Sequence, residues 1–213
     1  MLFHLQKSGK MKHLLLILLL ANASPLFCQQ TINDYSIRDL KGGQYKKDSS
    51  YVYWLPFKKG KRYLLIQGYD SKMSHQDELA LDFKMKPGSK ITAAREGKVI
   101  AFREDSDKGG LKDEYLSEGN YIIIQHKDGT QANYWHLKKN GVLVNLGDSV
   151  TKGQLIGLSG NTGYTAFPHL HFEVVPGNSN NGYKNFNQLA TRFQTKKGIR
   201  YLRPGKYYRS VTE

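Results

Sequence analysis

From residue 62 onward the chain reads as short strand-like runs, some apolar throughout and some alternating apolar with polar, most of them closed by a glycine-containing turn. Residues 62–67, 79–83, 90–93, 121–126 and 131–136 read as short extended segments and 97–102 alternates, a period of two being the mark of a half-buried strand. The clearest case is 168–175, where Leu170, Phe172 and Val174 fall on one side and His169, His171 and Glu173 on the other. Lys127-Asp128-Gly129-Thr130 separates two of the runs; Asp-Gly between strand patterns signals a tight hairpin, so these two segments should pair antiparallel. Glycines recur between 141 and 163 without a fixed period, which excludes a repeat array. Only residues 186–193 hint at a 3.6-residue spacing, and 192–202 read as a closing hairpin. The predicted class is all-β, a compact antiparallel sheet domain over residues 61–213. Residues 29–60 read as a leader that packs on it, residues 104–119 as a charged, glycine-containing surface loop able to line a groove, and residues 160–163 as a turn beside the cleft.

The N-terminus changes the compartment. Met11-Lys12-His13 precedes the apolar run 14–21, and the chain turns polar at Gln29. A basic start, a short apolar stretch and a polar exit describe a secretory signal over residues 1–28, with Met11 as an alternative start, too short for a membrane span. Export follows, to the periplasm, the cell envelope or the medium. Cys28 is the single cysteine, so no intrachain disulfide forms and the fold must rest on its core or on a metal. Lipidation at Cys28 would tie the protein to a membrane, but Phe27 stands where a lipoprotein signal wants a small residue. The formal charge of +14 becomes +11 once the three lysines of residues 1–28 are removed, and such a chain is drawn to polyanionic surfaces. Nucleic acid is not expected as a partner, because the basic residues are not gathered on a recognisable recognition element. A monomer is expected.

The histidines supply the chemistry. On a strand rising about 3.3 Å per residue, His169 and His171 sit about 6 to 7 Å apart on one face, so one can ligate a metal while the other faces what the metal binds. A catalytic zinc takes three protein ligands and leaves a fourth position open. His171 is one candidate. The N-terminal half offers His75 with Asp77, Glu78 or Asp82, and Asp82 is preferred because Leu81 and Phe83 bracket it: an acid between core residues needs a reason to be held there. His136 is a fourth imidazole, which alternation places on one face with Tyr134, leaving Trp135 and Leu137 on the other. His126, one residue before the hairpin turn, reads as exposed.

These motifs carry a resemblance. His75 with Leu81-Asp82-Phe83, the run Gly119-Asn120-Tyr121 through Gly129, Tyr134-Trp135-His136-Leu137, Gly147 through Gly157, Gly160-Asn161-Thr162-Gly163 and Pro168-His169-Leu170-His171-Phe172 resemble the lysostaphin-type, or LytM-like, zinc metalloendopeptidases, in the family's motif order from about residue 67 to 175. The resemblance implies an antiparallel β fold with a narrow groove, one zinc ion, and hydrolysis of peptide bonds in peptidoglycan stem or crosslink peptides. It implies His75, Asp82 and His171 as zinc ligands and His136 and His169 as catalytic histidines. The family's commonest first motif has its aspartate four residues after the histidine with a glycine between. Here the spacing is longer, in the Ala-x-Asp-Phe context that Ala80-Leu81-Asp82-Phe83 fits, with Asp77 and Glu78 as substitutes. Tyr134 could donate a hydrogen bond to the groove, and Glu173 could orient an imidazole or line the groove. Two rival readings use the same residues: a non-catalytic groove that regulates another wall hydrolase, and a zinc peptidase acting on exported proteins. Retention of all three ligands and both further histidines speaks against the non-catalytic groove, and glycine-rich protein substrates would test the other rival.

Overall fold

The structure is a computed structural model that describes residues 48–177 and 187–211; the expected export segment and Cys28 lie outside them. In chain order the strands are β1 (Asp48–Tyr53), β2 (Arg62–Gln67), β3 (Ala80–Lys84), β4 (Lys90–Thr92), β5 (Gly97–Arg103), β6 (Gly109–Gly110), β7 (Tyr121–Gln125) and β8 (Gln131–Trp135). They continue as β9 (Leu137–Val142), β10 (Ser149–Val150), β11 (Leu155–Ser159), β12 (Gly163–Tyr164), β13 (His169–Val175), β14 (Ala190–Thr195), β15 (Gly198–Arg200) and β16 (Lys206–Arg209). One 3-10 turn, Asp113–Tyr115, is the only helical element among the described residues. The molecule is all-β.

Eight strands form the main sheet in the order β10-β5-β7-β8-β13-β3-β2-β16, every neighbouring pair antiparallel. The Asp-Gly hairpin joins β7 to β8 as its sequence predicts: His126 N–H donates to Thr130 O at 2.8 Å, and Gly129 takes φ +83°, which glycine alone adopts freely. A second sheet, β4-β11-β9, and a third, β1-β14-β15, pack into the same core; β1 with β14 and β6 with β12 are the parallel pairs. The hint of helical spacing at 186–193 does not survive. Residues 187–189 and strand β14 replace it, with Thr191, Phe193 and Thr195 buried at period two because β1 and β15 flank the strand. Tyr53, Leu55 and Phe57 are fully buried core residues.

The two faces of the main sheet differ in kind. Leu170, Phe172 and Val174 of β13, Leu81 and Phe83 of β3, and Ile122 and Ile124 of β7 enter the apolar core, each contributing about 1.5–3 kcal/mol by leaving water. The opposite face of the central strands is polar. His171 pairs with Trp135 on β8 and with Asp82 on β3, and Asp82 pairs with Gln67 on β2. Residues paired directly across strands share a face, so Trp135, His171, Asp82 and Gln67 form one row across four strands.

Candidate metal centre

Asp82 sits at the middle of that row, 3% exposed. Its Oδ2 accepts a hydrogen bond from Gln67 Nε2 at 2.7 Å and lies 3.2 Å from His75 Nε2. Its Oδ1 lies 3.0 Å from His171 Nδ1 and 3.6 Å from His169 Nε2. His75 reaches the acid from the loop between β2 and β3, which Gln67 also ties down: Gln67 Oε1 accepts from Ser71 Oγ and from Ser74 N–H. The ring of His136 completes the cluster, with centroids 4.6 Å from His169 and 5.9 Å from His171. Gln67 carries no signal in the sequence. Alternation puts it on the core face with Leu65, but the register shifts between the two residues, and the bulge turns Gln67 toward Asp82.

His136 arrives by a different break in alternation. It follows β8 with φ +63°, a left-handed conformation that histidine tolerates better than most residues. The turn carries its ring across to the cleft, where its Nδ1 meets Thr162 O at 2.7 Å. The expectation that Tyr134 shares this face is therefore wrong. Tyr134 pairs with Phe172, lies fully buried in the core, and its hydroxyl accepts from Ala94 N–H at 2.8 Å. Trp135 lines the cleft in its place. Gly163 makes the seat for His136 possible: its φ is +84°, and a Cβ there would meet Gly119 Cα at 2.8 Å.

The other expectations sort by position. Asp77 is exposed, with its backbone N–H on Asp70 Oδ1, and Glu78 is buried on the cleft wall. Neither belongs to the donor groups that could hold a metal among the described residues, which are His75, Asp82 and His171, and His136, His169 and His171. Glu173 also lines the cleft, but its carboxylate accepts from Asn133 Nδ2 at 2.9 Å and Gln188 Nε2 at 3.0 Å instead of orienting an imidazole. His126, expected exposed, is buried: Tyr53 of β1 packs against its ring, and its Nδ1 meets Glu96 O at 2.7 Å.

The cluster's hydrogen bonding asks for a cation. Nδ1 of His75 faces Gly68 O at 3.2 Å, an acceptor, so Nδ1 bears the proton and Nε2 turns a lone pair toward the Asp82 carboxylate. Two acceptors facing each other need a proton or a metal ion between them. The electrostatics agree. Burial acts to lower the pKa of His75, but Asp82 outweighs it and the value rises to about 9. Burial alone would raise Asp82; the imidazoles around it hold it well below the usual carboxylate range. Imidazole nitrogens with one carboxylate oxygen, all within 4.8 Å of one another, are the donor types zinc takes. His136 and His169 behave differently: burial pushes both below the ordinary histidine value, and their Nδ1 atoms face the carbonyls of Thr162 and Phe167. Both thus offer a neutral Nε2 lone pair. The cleft above, about 330 Å³, has a polar floor and an apolar rim that includes Met73, Leu111 and Leu116, all exposed. Two of these three come from the charged loop at 104–119.

Comparison with known proteins places this arrangement. The profile of peptidase family M23 matches residues 76–184, a span that starts one residue after His75 and contains Asp82, His136, His169 and His171. The peptidoglycan DD-endopeptidase ShyA of Vibrio cholerae is 34% identical over 122 residues, 57% of this chain and 26% of that protein. The glycyl-glycine endopeptidase ALE-1 of Staphylococcus capitis is 34% identical over 130 residues, 60% of this chain and 32% of that one. The chain thus spans about a quarter to a third of the length of these curated relatives. Among solved structures, the catalytic domain of lysostaphin from Staphylococcus simulans is 29% identical, with 60% of this chain and 86% of that one covered and a TM-score of 0.42. The chain belongs to peptidase family M23.

Proposed function

We propose that the protein is an exported zinc endopeptidase that hydrolyses peptide bonds in peptidoglycan. The observation that carries this is the sharing of one buried carboxylate, Asp82, by three imidazoles on the floor of a cleft. His75 Nε2, an Asp82 oxygen and His171 Nδ1 would hold the ion. This set is favoured over the all-histidine one because a buried carboxylate needs a compensating charge. When bound, zinc supplies Lewis-acid polarisation of the scissile carbonyl and makes water acidic enough to attack near neutral pH.

The chain's own residues supply the rest. Nε2 of His169 or His136, neutral and shielded, accepts the proton of the attacking water and then returns it to the leaving amine. Once protonated, the same N–H stabilises the developing oxyanion. Carbonyls at Thr162 and Phe167 hold both rings in the tautomer that leaves Nε2 free. The apolar rim and the acceptors on Glu173 and Gln188 suit an extended peptide, whose N–H groups need partners on the floor. Relatives whose names specify different bonds support the substrate class and leave the crosslink open. Export rests on the N-terminal sequence and on the nature of that substrate.

The test is zinc content together with release of soluble peptides from purified sacculi, for wild type and His169→Ala. About one zinc per chain with release by wild type alone is expected. A metal-free protein without release would sink the enzyme reading in favour of a binding groove.

A further inference from the structure

A second concave surface lies at the edge of the main sheet. It is a groove of about 970 Å³, lined from β2, the β14–β15 hairpin and β16 by eight lysines and arginines and, among the described residues, by no aspartate or glutamate. Arg62, Lys196, Lys197, Arg200, Lys206 and Arg209 are exposed along it. Arg209 donates to Gly60 O at 2.7 Å and Arg200 to Lys197 O; carbonyl partners fix these guanidinium groups without cancelling their charge. Ion pairs occur elsewhere on the described surface, as in Arg95 with Asp128, Arg103 with Glu118 and Lys139 with Asp107. A surface of one sign in a concave wall focuses its field and concentrates polyanions.

We propose that this groove binds a linear wall polymer whose repeating charge is a phosphodiester, and so holds the cleft on its substrate. Arginine forks match phosphate oxygens, and a trough fits a strand, whereas a planar bilayer would reach only its rims. Two of the three tyrosines that line it are already engaged. Arg62 covers the face of Tyr207, 4.4 Å from its centroid, and the Tyr208 hydroxyl is bonded to the backbone of Arg203; charge is therefore the means of recognition. The sheet sets the spacing. Arg62 begins β2 and Gln67, bonded to Asp82, ends it, so five steps of about 3.3 Å put a bound strand about 17 Å from the acid. Tethering at that range raises the effective concentration of nearby wall peptides at the cleft. The choice of a wall polymer rests on the envelope reading above, whereas the affinity does not depend on hydrolysis.

The experiment titrates the full chain with glycerol-phosphate polymer at increasing salt. Log affinity should fall linearly with log salt, and K196E/K197E/R200E should bind more than about tenfold weaker near 0.15 M salt. Its slope should be smaller by about 2, from about 0.7 per lost contact. The neutral K196Q/K197Q/R200Q guards against misfolding and should show a smaller loss in the same direction, and both variants should cleave a soluble wall peptide at the wild-type rate. Unchanged affinity in both variants, no binding by wild type, or tighter binding to phosphatidylglycerol vesicles or to a thymidine homopolymer would each overturn the proposal. Polymer binding by a protein that releases no peptide would sink the enzyme reading and leave the groove standing; release without polymer binding would do the reverse.

Discussion

His75 and His126 are withdrawn from solvent to the same degree, 2% and 3% exposed, yet their surroundings move them in opposite directions. At the β7–β8 turn burial dominates and holds His126 near pKa 4, its Nε2 without a hydrogen-bond partner among the described residues. On the cleft floor burial pulls the same way, but the Asp82 carboxylate 3.2 Å from Nε2 prevails and raises His75 to about 9. Around the turn the nearby cation is already matched, with Arg95 on Asp128 at 2.7 Å and stacked over Tyr51. Burial alone yields an inert packed ring. A site arises where several rings share one buried acid.

The largest effect should come from removing that acid. Asp82→Asn keeps the shape and deletes the charge; zinc should be lost and peptide release should fall to background, as measured by metal analysis and release from sacculi. Substantial zinc in this variant would move the ligand set to His136, His169 and His171. Next, His136→Ala and His169→Ala should each retain zinc and slow release about 10²- to 10⁴-fold, while His126→Ala should stay within about twofold of wild type once folded. A comparable loss from His126→Ala would erase the contrast between the two regions.

The third effect is on stability. His126 has its folded pKa depressed below the unfolded value of 6.5, so the unfolded chain binds the extra proton first. The stability that its neutral form carries is complete above 6.5 and is lost as pH falls through 4, by about 3 kcal/mol at pH 4. Unfolding free energies from denaturant titration at pH 7 and pH 4 should differ by that much more in wild type than in His126→Phe; parallel shifts would show that the ring is solvated. The smallest effect should come from Tyr134→Phe, which leaves Ala94 N–H without its acceptor. It should lose about 1 kcal/mol of stability with turnover unchanged within about twofold, whereas a large loss of turnover would return Tyr134 to the cleft.

Most of the sheet was legible because its strands obey one rule. β13 alternates in sequence, so His169, His171 and Glu173 could be assigned to one face from their positions alone, and the Asp-Gly turn sets the pairing of β7 with β8. What was missed or misplaced falls where that rule breaks. A bulge in β2 moved Gln67 onto Asp82, and a left-handed backbone at His136 separated it from Tyr134. Neither event leaves a mark in residue type, since both depend on which strands lie alongside. The burial of His126 was hidden for a related reason: the ring that covers it, Tyr53, lies far away in the chain.

By itself, the order of amino acids determined the strands, their polar and apolar faces, and the short list of imidazoles and acids from which a metal site could be made. Only the tertiary structure decided which acid they share, passing over Asp77 and Glu78 for Asp82, and which histidine was left as a plain core residue. Periodicity is a property of a few neighbouring residues, whereas a charge shared by groups up to 89 positions apart depends on how separate strands are laid side by side.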